Sequence, residues 1–141
     1  MRVFLDANIL FSASKSDGAI RRFLELLIER GHELWVDAFV IEEARRNLAT
    51  KFPEALGKLE SVLRRTHRLP TSARPALPAE IATLLPEKDR PVLAAAIRAG
   101  CDVLMTGDRT HFGSLYGRTV GGVTVHSPSG LAASVFGSGS K

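Results

Sequence analysis

Asp6, Glu43, Asp89 and Asp108 lie in four widely separated segments of a 141-residue chain. Carboxylates drawn into one crevice repel one another unless a cation neutralises them. Oxygen donors select hard divalent ions, Mg²⁺ or Mn²⁺, over softer metals. Mg²⁺ in particular takes a few carboxylates together with waters and phosphate oxygens, so four acids in one place would suit phosphoryl-transfer chemistry. Whether they gather depends on the elements that carry them.

Val3-Phe4-Leu5 is a short apolar run without polar alternation, as expected of a strand buried on both faces, and it stops at Asp6-Ala7-Asn8. A loop containing Gly18 follows. Residues 19–30 then place Ile20, Phe23, Leu24, Leu27 and Ile28 at helical spacing, with Gly31 as the stop. Residues 33–36 read as a second strand and residues 38–49 as a second amphipathic helix. Residues 53–65 read as a third helix with Pro53 near its start. The proline-rich stretch from Leu69 to Pro86 is mostly connection, with one helical turn near residues 80–84. Residues 89–99 form the next helix, Val103-Leu104-Met105 a third strand ending at Thr106-Gly107-Asp108, and residues 123–125 a last, edge strand. The chain is expected to form one domain over residues 1–136, followed by a Gly/Ser-rich flexible tail, 137–141.

Alternating strands and helices predict an α/β fold of three layers, a central parallel sheet flanked by helices, with right-handed connections. Functional crevices in such sheets lie beyond the carboxyl ends of the strands. Asp6 and Asp108 follow strands at that edge. Asp89 and Glu43 sit near the start of helices that begin there. Each acid also has an ordinary use: Asp89 as a helix N-cap, Asp6 and Asp108 as turn formers, Glu43 as a solvated helical residue. Glu42 is a one-residue alternative to Glu43. Asp17, Asp37 and Asp102 read as loop or strand-boundary residues.

Nineteen Lys and Arg against fifteen Asp and Glu give a net charge of +4, and most of the cations are arginine, which suits bidentate contact with phosphate. An acidic pit in a basic body is what a metal-dependent enzyme acting on nucleic acid requires. Arg45, Arg46, Arg90 and Arg109 flank the acids and are candidate backbone contacts; His111 lies close enough to touch phosphate. Solvated surface charge is the alternative for each arginine, and a packed or surface role for the histidine. A single cysteine, Cys101, excludes an intramolecular disulfide and a Cys-rich zinc site. The longest purely apolar run, residues 92–97, is far short of a membrane span, and a strand beginning almost at Met1 leaves no room for a signal peptide. The expected location is the cytoplasm.

Val3-Phe4-Leu5-Asp6-Ala7-Asn8-Ile9-Leu10, Ile41-Glu42-Glu43, Asp89-Arg90-Pro91-Val92-Leu93-Ala94-Ala95-Ala96 and Thr106-Gly107-Asp108-Arg109-Thr110-His111-Phe112 together resemble the PIN-domain nucleases. The match runs in order from Arg2 to about Pro128. Many small standalone PIN proteins are VapC-type toxins of type II toxin–antitoxin pairs, and the Thr110-His111-Phe112-Gly113 extension is less typical of those. The resemblance implies an acidic site binding Mg²⁺ or Mn²⁺, endonucleolytic cleavage of RNA, a homodimer and a small antitoxin partner. It carries Asp6, Glu43, Asp89 and Asp108 onto the family's four acids, and Asn8 and Thr106 onto polar positions that support the first and last of them.

The mechanism expected is metal-assisted hydrolysis leaving a 5′-phosphate and a 3′-hydroxyl, with no His or Ser nucleophile. An aspartyl-phosphate phosphatase would need an acid where Asn8 stands. A receiver domain would need an acidic neighbour to Asp6 and a lysine late in the sheet. Neither a P-loop nor a GxGxxG run follows any strand. A catalytically silent RNA-binding or partner-binding module remains the alternative, separated from a nuclease by metal dependence.

Overall fold

The structure is a computed structural model that describes residues 1–70 and 77–137. Three parallel strands form its centre: β1 (Arg2–Leu5), β2 (Glu33–Val36) and β4 (Val103–Met105). Short strands β3 (His67–Arg68) and β5 (Thr119–Val120) close the two edges, and β6 (Val123–His126) lies between β4 and β5. The order is β3-β2-β1-β4-β6-β5, parallel throughout except for the β5/β6 pair. Phe4, Leu5, Leu104 and Met105 are fully buried, which is why β1 and β4 read as continuous apolar runs.

From β1 the chain steps outward through β2 to β3, then returns to the opposite side of β1 to form β4. Right-handed crossovers place the helices of these two journeys on opposite faces of the sheet. The first set is α1 (Ala7–Lys15), α2 (Ala19–Glu29), α3 (Ala38–Lys51) and α4 (Leu56–Leu63); the return passes through α5 (Ala79–Ala82) and α6 (Arg90–Arg98). The reversal makes the β1/β4 boundary a topological switch point, where diverging connections open a crevice at the carboxyl ends of the strands.

Two expectations need correction. The segment after Asp6 is no loop: it is α1, capped by the Asp6 side chain and anchored by buried Ile9, Leu10 and Ala13. The strand at 123–125 is internal, because residues 119–120 pair antiparallel outside it and take the edge. Residues 109–112, to which the sequence pattern assigns no element, form α7 (Arg109–Phe112), capped by Asp108. The helical turn expected near 80–84 is present as α5. The rest of the Leu69–Pro86 connection falls partly on residues 71–76, outside the described residues, as do 138–141 of the expected tail. The described chain ends in α8 (Pro128–Ala132) and a π-helical turn at Ala133–Gly137, whose Phe136 packs edge-on against Phe23 of α2.

Candidate active site

Asp6 leaves β1 and caps α1, so its carboxylate sits at the switch point while 95% of its surface is shielded, the residue being 5% exposed. One oxygen accepts from the Ala7 amide at 2.7 Å; the other accepts from the Thr106 hydroxyl at 2.8 Å and the Asn8 side-chain amide at 3.2 Å. Thr106 is fully buried at the end of β4. Its oxygen also accepts from Asn8 Nδ2 at 3.2 Å and from the Asp108 amide at 3.1 Å, which uses its one proton and both lone pairs. Asn8 accepts from the Gly107 amide at 2.8 Å, stapling the start of α1 to the loop after β4. The Tyr116 hydroxyl donates to the Thr106 carbonyl at 2.9 Å, a support that sequence reasoning missed.

Burial pushes the Asp6 carboxyl up to about 6; the Thr106 and Ala7 bonds pull it down, and the charges of Glu43 and Asp89 push it up further. Those two acids are therefore close enough to be felt by Asp6.

Asp89 closes a 3₁₀ turn (Glu87–Asp89) at the entrance of α6, yet its side chain makes no capping bond. The ordinary N-cap use thus fails for Asp89, whereas Asp6 and Asp108 do cap their helices. Instead Asp89 Oδ2 points to His111 Nδ1 at 2.8 Å, and Asp108 Oδ2 approaches the same nitrogen at 2.9 Å. Asp108 Oδ1 accepts from the His111 amide at 3.1 Å, so one turn of α7 carries the imidazole back over the acid that starts it. The approach to Asp89 does not align as a hydrogen bond: Asp89 Oδ2 and His111 Nδ1 are buried without a hydrogen-bond partner among the described residues. Burial raises the Asp89 pKa; His111 opposes that shift and Asp108 adds to it.

Metal-ligating atoms of Asp89, Asp108 and His111 lie within 4.8 Å of one another. Asp6 and Glu43 are outside that set. Glu43 projects from α3 into a cleft of about 400 Å³ that Asn8, Ser12, Gly107 and Asp108 also line, while Glu42 is exposed. Glu43 and Asp108 thus line one cleft, Asp6 feels the charges of Glu43 and Asp89, and Asp89 and Asp108 meet at a histidine. His111 was expected as a phosphate contact; the Asp-x-x-His spacing at 108–111 was the signal for its place among the acids. Two buried orphan atoms and a donor set of carboxylate oxygens with one imidazole fit a divalent cation.

Of the flanking arginines, Arg45 pairs with Glu60 at 2.9 Å and Arg90 donates to the Leu85 carbonyl at 3.2 Å, whereas Arg46 and Arg109 are exposed. Asp37 caps α3 through the Val40 amide and Asp102 accepts from the Arg2 amide, both structural uses.

The PIN-domain family model matches residues 2–110, a span that holds Asp6, Glu43, Asp89 and Asp108. The chain belongs to the PIN-domain family. PIN domains are generally metal-dependent nucleases, and the acidic crevice lies inside the matched span. Among solved structures, this PIN domain is similar to VapBC2 from Rickettsia felis bound to a DNA fragment from their promoter, at TM-score 0.69 and 19% identity, over 90% of this chain and 98% of that one. It is also similar to VapBC-1 from nontypeable Haemophilus influenzae, at TM-score 0.62 and 12% identity, over 92% and 99% of the two chains. FitAB bound to an IR36 DNA fragment follows at TM-score 0.53 and 16% identity, over 89% and 94%. At these identities the likeness concerns the fold. No curated protein sequence matches the chain. No helix among the described residues of this PIN domain is long and apolar enough to cross a membrane.

Proposed function

We propose that this PIN domain is a metal-dependent endoribonuclease that hydrolyses RNA phosphodiester bonds with Mg²⁺ or Mn²⁺. The observation that carries the reading is the Asp89–Asp108 pair, whose carboxylates converge at His111 near buried Asp6, with Asp89 Oδ2 lacking an aligned hydrogen-bond partner among the described residues. Asp6, Asp89 and Asp108 would hold one or two ions, and Glu43 would complete the shell or orient a water. The ion supplies charge neutralisation at the phosphate and activation of water. The protein supplies position: Thr106, Asn8 and the Ala7 amide fix Asp6 in one orientation, and the Asn8–Gly107 bond holds the Asp108 loop against it. Arg46, three residues on from Glu43, and Arg109, next to Asp108, are exposed and would take the RNA backbone, and the net charge of +4 favours approach of a polyanion.

The likeness in fold to the VapBC and FitAB structures supports a toxin of a type II toxin–antitoxin pair, a cytoplasmic homodimer with a small antitoxin as partner. The single domain is taken as 1–136.

Cleavage of end-labelled structured RNA with Mn²⁺, with EDTA, and with Asp6→Asn or Asp89→Asn tests the reading. Cutting that stops with EDTA and in both folded variants supports it. Cutting that persists in both variants overturns the site. A protein that neither cuts nor binds Mn²⁺ is the silent module.

A further inference from the structure

His111 stands where a positioning role and a ligating role can be told apart. Its Nδ1 lies 2.8 Å from Asp89 Oδ2 and 2.9 Å from Asp108 Oδ2, so a nitrogen and two carboxylate oxygens from separate elements crowd one point. If the imidazole served only as a hydrogen-bond donor to the acids, its ring N–H would line up with one of them. Nδ1 instead lies between the two oxygens at nearly equal distance, and neither it nor Asp89 Oδ2 has an aligned hydrogen-bond partner among the described residues. The spacing has a different match: an octahedral cation with bonds of about 2.1 Å keeps adjacent donors about 3 Å apart. The backbone that carries the ring is also fixed. The His111 amide is bonded to Asp108 Oδ1 and the following Phe112 is fully buried, so α7 presents the ring rather than leaving it to swing.

We propose that His111 Nδ1 is a direct ligand of the cation held by Asp89 and Asp108, and that this nitrogen makes the site select Mn²⁺ over Mg²⁺. The inference rests on the metal site of the proposed nuclease and names the ion that site prefers. Mg²⁺ holds oxygen donors and water and gains little from imidazole, whereas first-row transition ions accept mixed nitrogen and oxygen shells. An all-carboxylate crevice would distinguish the two ions weakly; a crevice with one imidazole distinguishes them by ligand type.

The test is Mn²⁺ binding to the full chain, followed by calorimetry and by pulsed electron paramagnetic resonance, which detects ¹⁴N bonded to Mn²⁺. The expected wild-type spectrum carries the ¹⁴N modulation of one imidazole, and His111→Ala loses it. The same substitution is expected to weaken Mn²⁺ about tenfold or more while changing Mg²⁺ affinity less than threefold. The cap of α7 uses the backbone amide of residue 111, so it survives the substitution; circular dichroism and a thermal melt confirm the fold. Mn²⁺ that binds in an Asp89-dependent way without ¹⁴N modulation overturns the ligand assignment and leaves the carboxylate metal site standing. Tighter Mn²⁺ binding by His111→Ala also overturns it, identifying His111 as an internal counter-cation. Absence of any Mn²⁺ binding that Asp89→Asn removes overturns both the assignment and the nuclease reading beneath it.

Discussion

The Thr106 hydroxyl, fully buried at the end of β4, donates across the switch point to Asp6 at the end of β1, 2.8 Å away. Two strands 100 residues apart are thus joined at the atoms proposed to hold metal. The same oxygen accepts from Asn8 and from the Asp108 amide, so one side chain registers three functional segments at once.

Thr106→Val keeps the shape and removes that hub. Asp6 loses one of its bonds, and the Asn8 amide and the Asp108 N–H each lose an acceptor. The expected cost is about 1–3 kcal/mol of stability, read by urea melts. Mn²⁺ affinity is expected to fall about tenfold or more, since partners that orient ligands carry that weight in metal sites. Unchanged affinity by calorimetry would show that Asp6 needs no orientation from Thr106.

The raised pKa of Asp6 gives the metal-free protein a pH signature. Its ordinary value of 3.8 is pushed up to about 6 in the fold, chiefly by burial, so the folded chain holds this proton more tightly than the unfolded chain. The contribution is therefore complete below about pH 4, declines as pH rises toward about 6, and amounts to about 3 kcal/mol in total. Asp6→Asn is expected to remove that decline. Asp89 shifts in the same direction, so a smaller decline survives in the variant. Wild-type and variant melts with EDTA from pH 4 to 7 check this: parallel curves would place the Asp6 pKa near its ordinary value. Added Mn²⁺ at pH 7 should restore the lost stability, because the ion binds the ionised form.

Asp89→Asn separates stability from activity. Asp89 is partly buried beside Asp108 and caps nothing; it meets His111 at 2.8 Å, which offsets part of the cost of burying its charge. The metal-free variant is expected to melt within about 1 kcal/mol of wild type, or above it, since a buried charge beside another acid is relieved. RNA cleavage is expected to drop at least a hundredfold. A large loss of stability in EDTA would mean that the carboxylate does structural work the geometry does not reveal.

Much of this was legible in the residues. The runs Val3–Leu5 and Val103–Met105 are apolar at every position because β1 and β4 are buried on both faces, and acids placed directly after such runs must emerge at one edge. The helix α1 was not legible, because Asp6-Ala7-Asn8 reads equally as a turn and the apolar positions Ile9, Leu10 and Ala13 fill barely one stripe. Its existence depends on tertiary packing against the neighbouring helices. Residues 119–120 were missed for a related reason: a two-residue strand carries no period, and its pairing follows from the Gly121-Gly122 turn, where both residues take positive φ. His111 was visible as a residue, but its place between two acids was not. Its meeting with Asp89 depends on where α6 begins in space, 22 residues earlier, which local spacing does not encode.

The adjacent acids of α3 provide the sharpest check on the cleft. Successive helical residues point about 100° apart, so only one of Glu42 and Glu43 can face the same wall. Glu43 lines the cleft with Asn8 and Asp108 and its charge reaches Asp6; Glu42 is exposed. Glu43→Gln preserves size and hydrogen-bonding capacity while removing the negative charge, and is expected to lower cleavage about a hundredfold with little change in melting temperature. Glu42→Gln is expected to stay within twofold of wild type, since its side chain meets solvent. Rates measured for the pair under one Mn²⁺ concentration decide the assignment. The reverse ranking would require α3 to be rotated by one residue from its observed register, with Val40, Ile41, Ala44 and Leu48 no longer on the buried face.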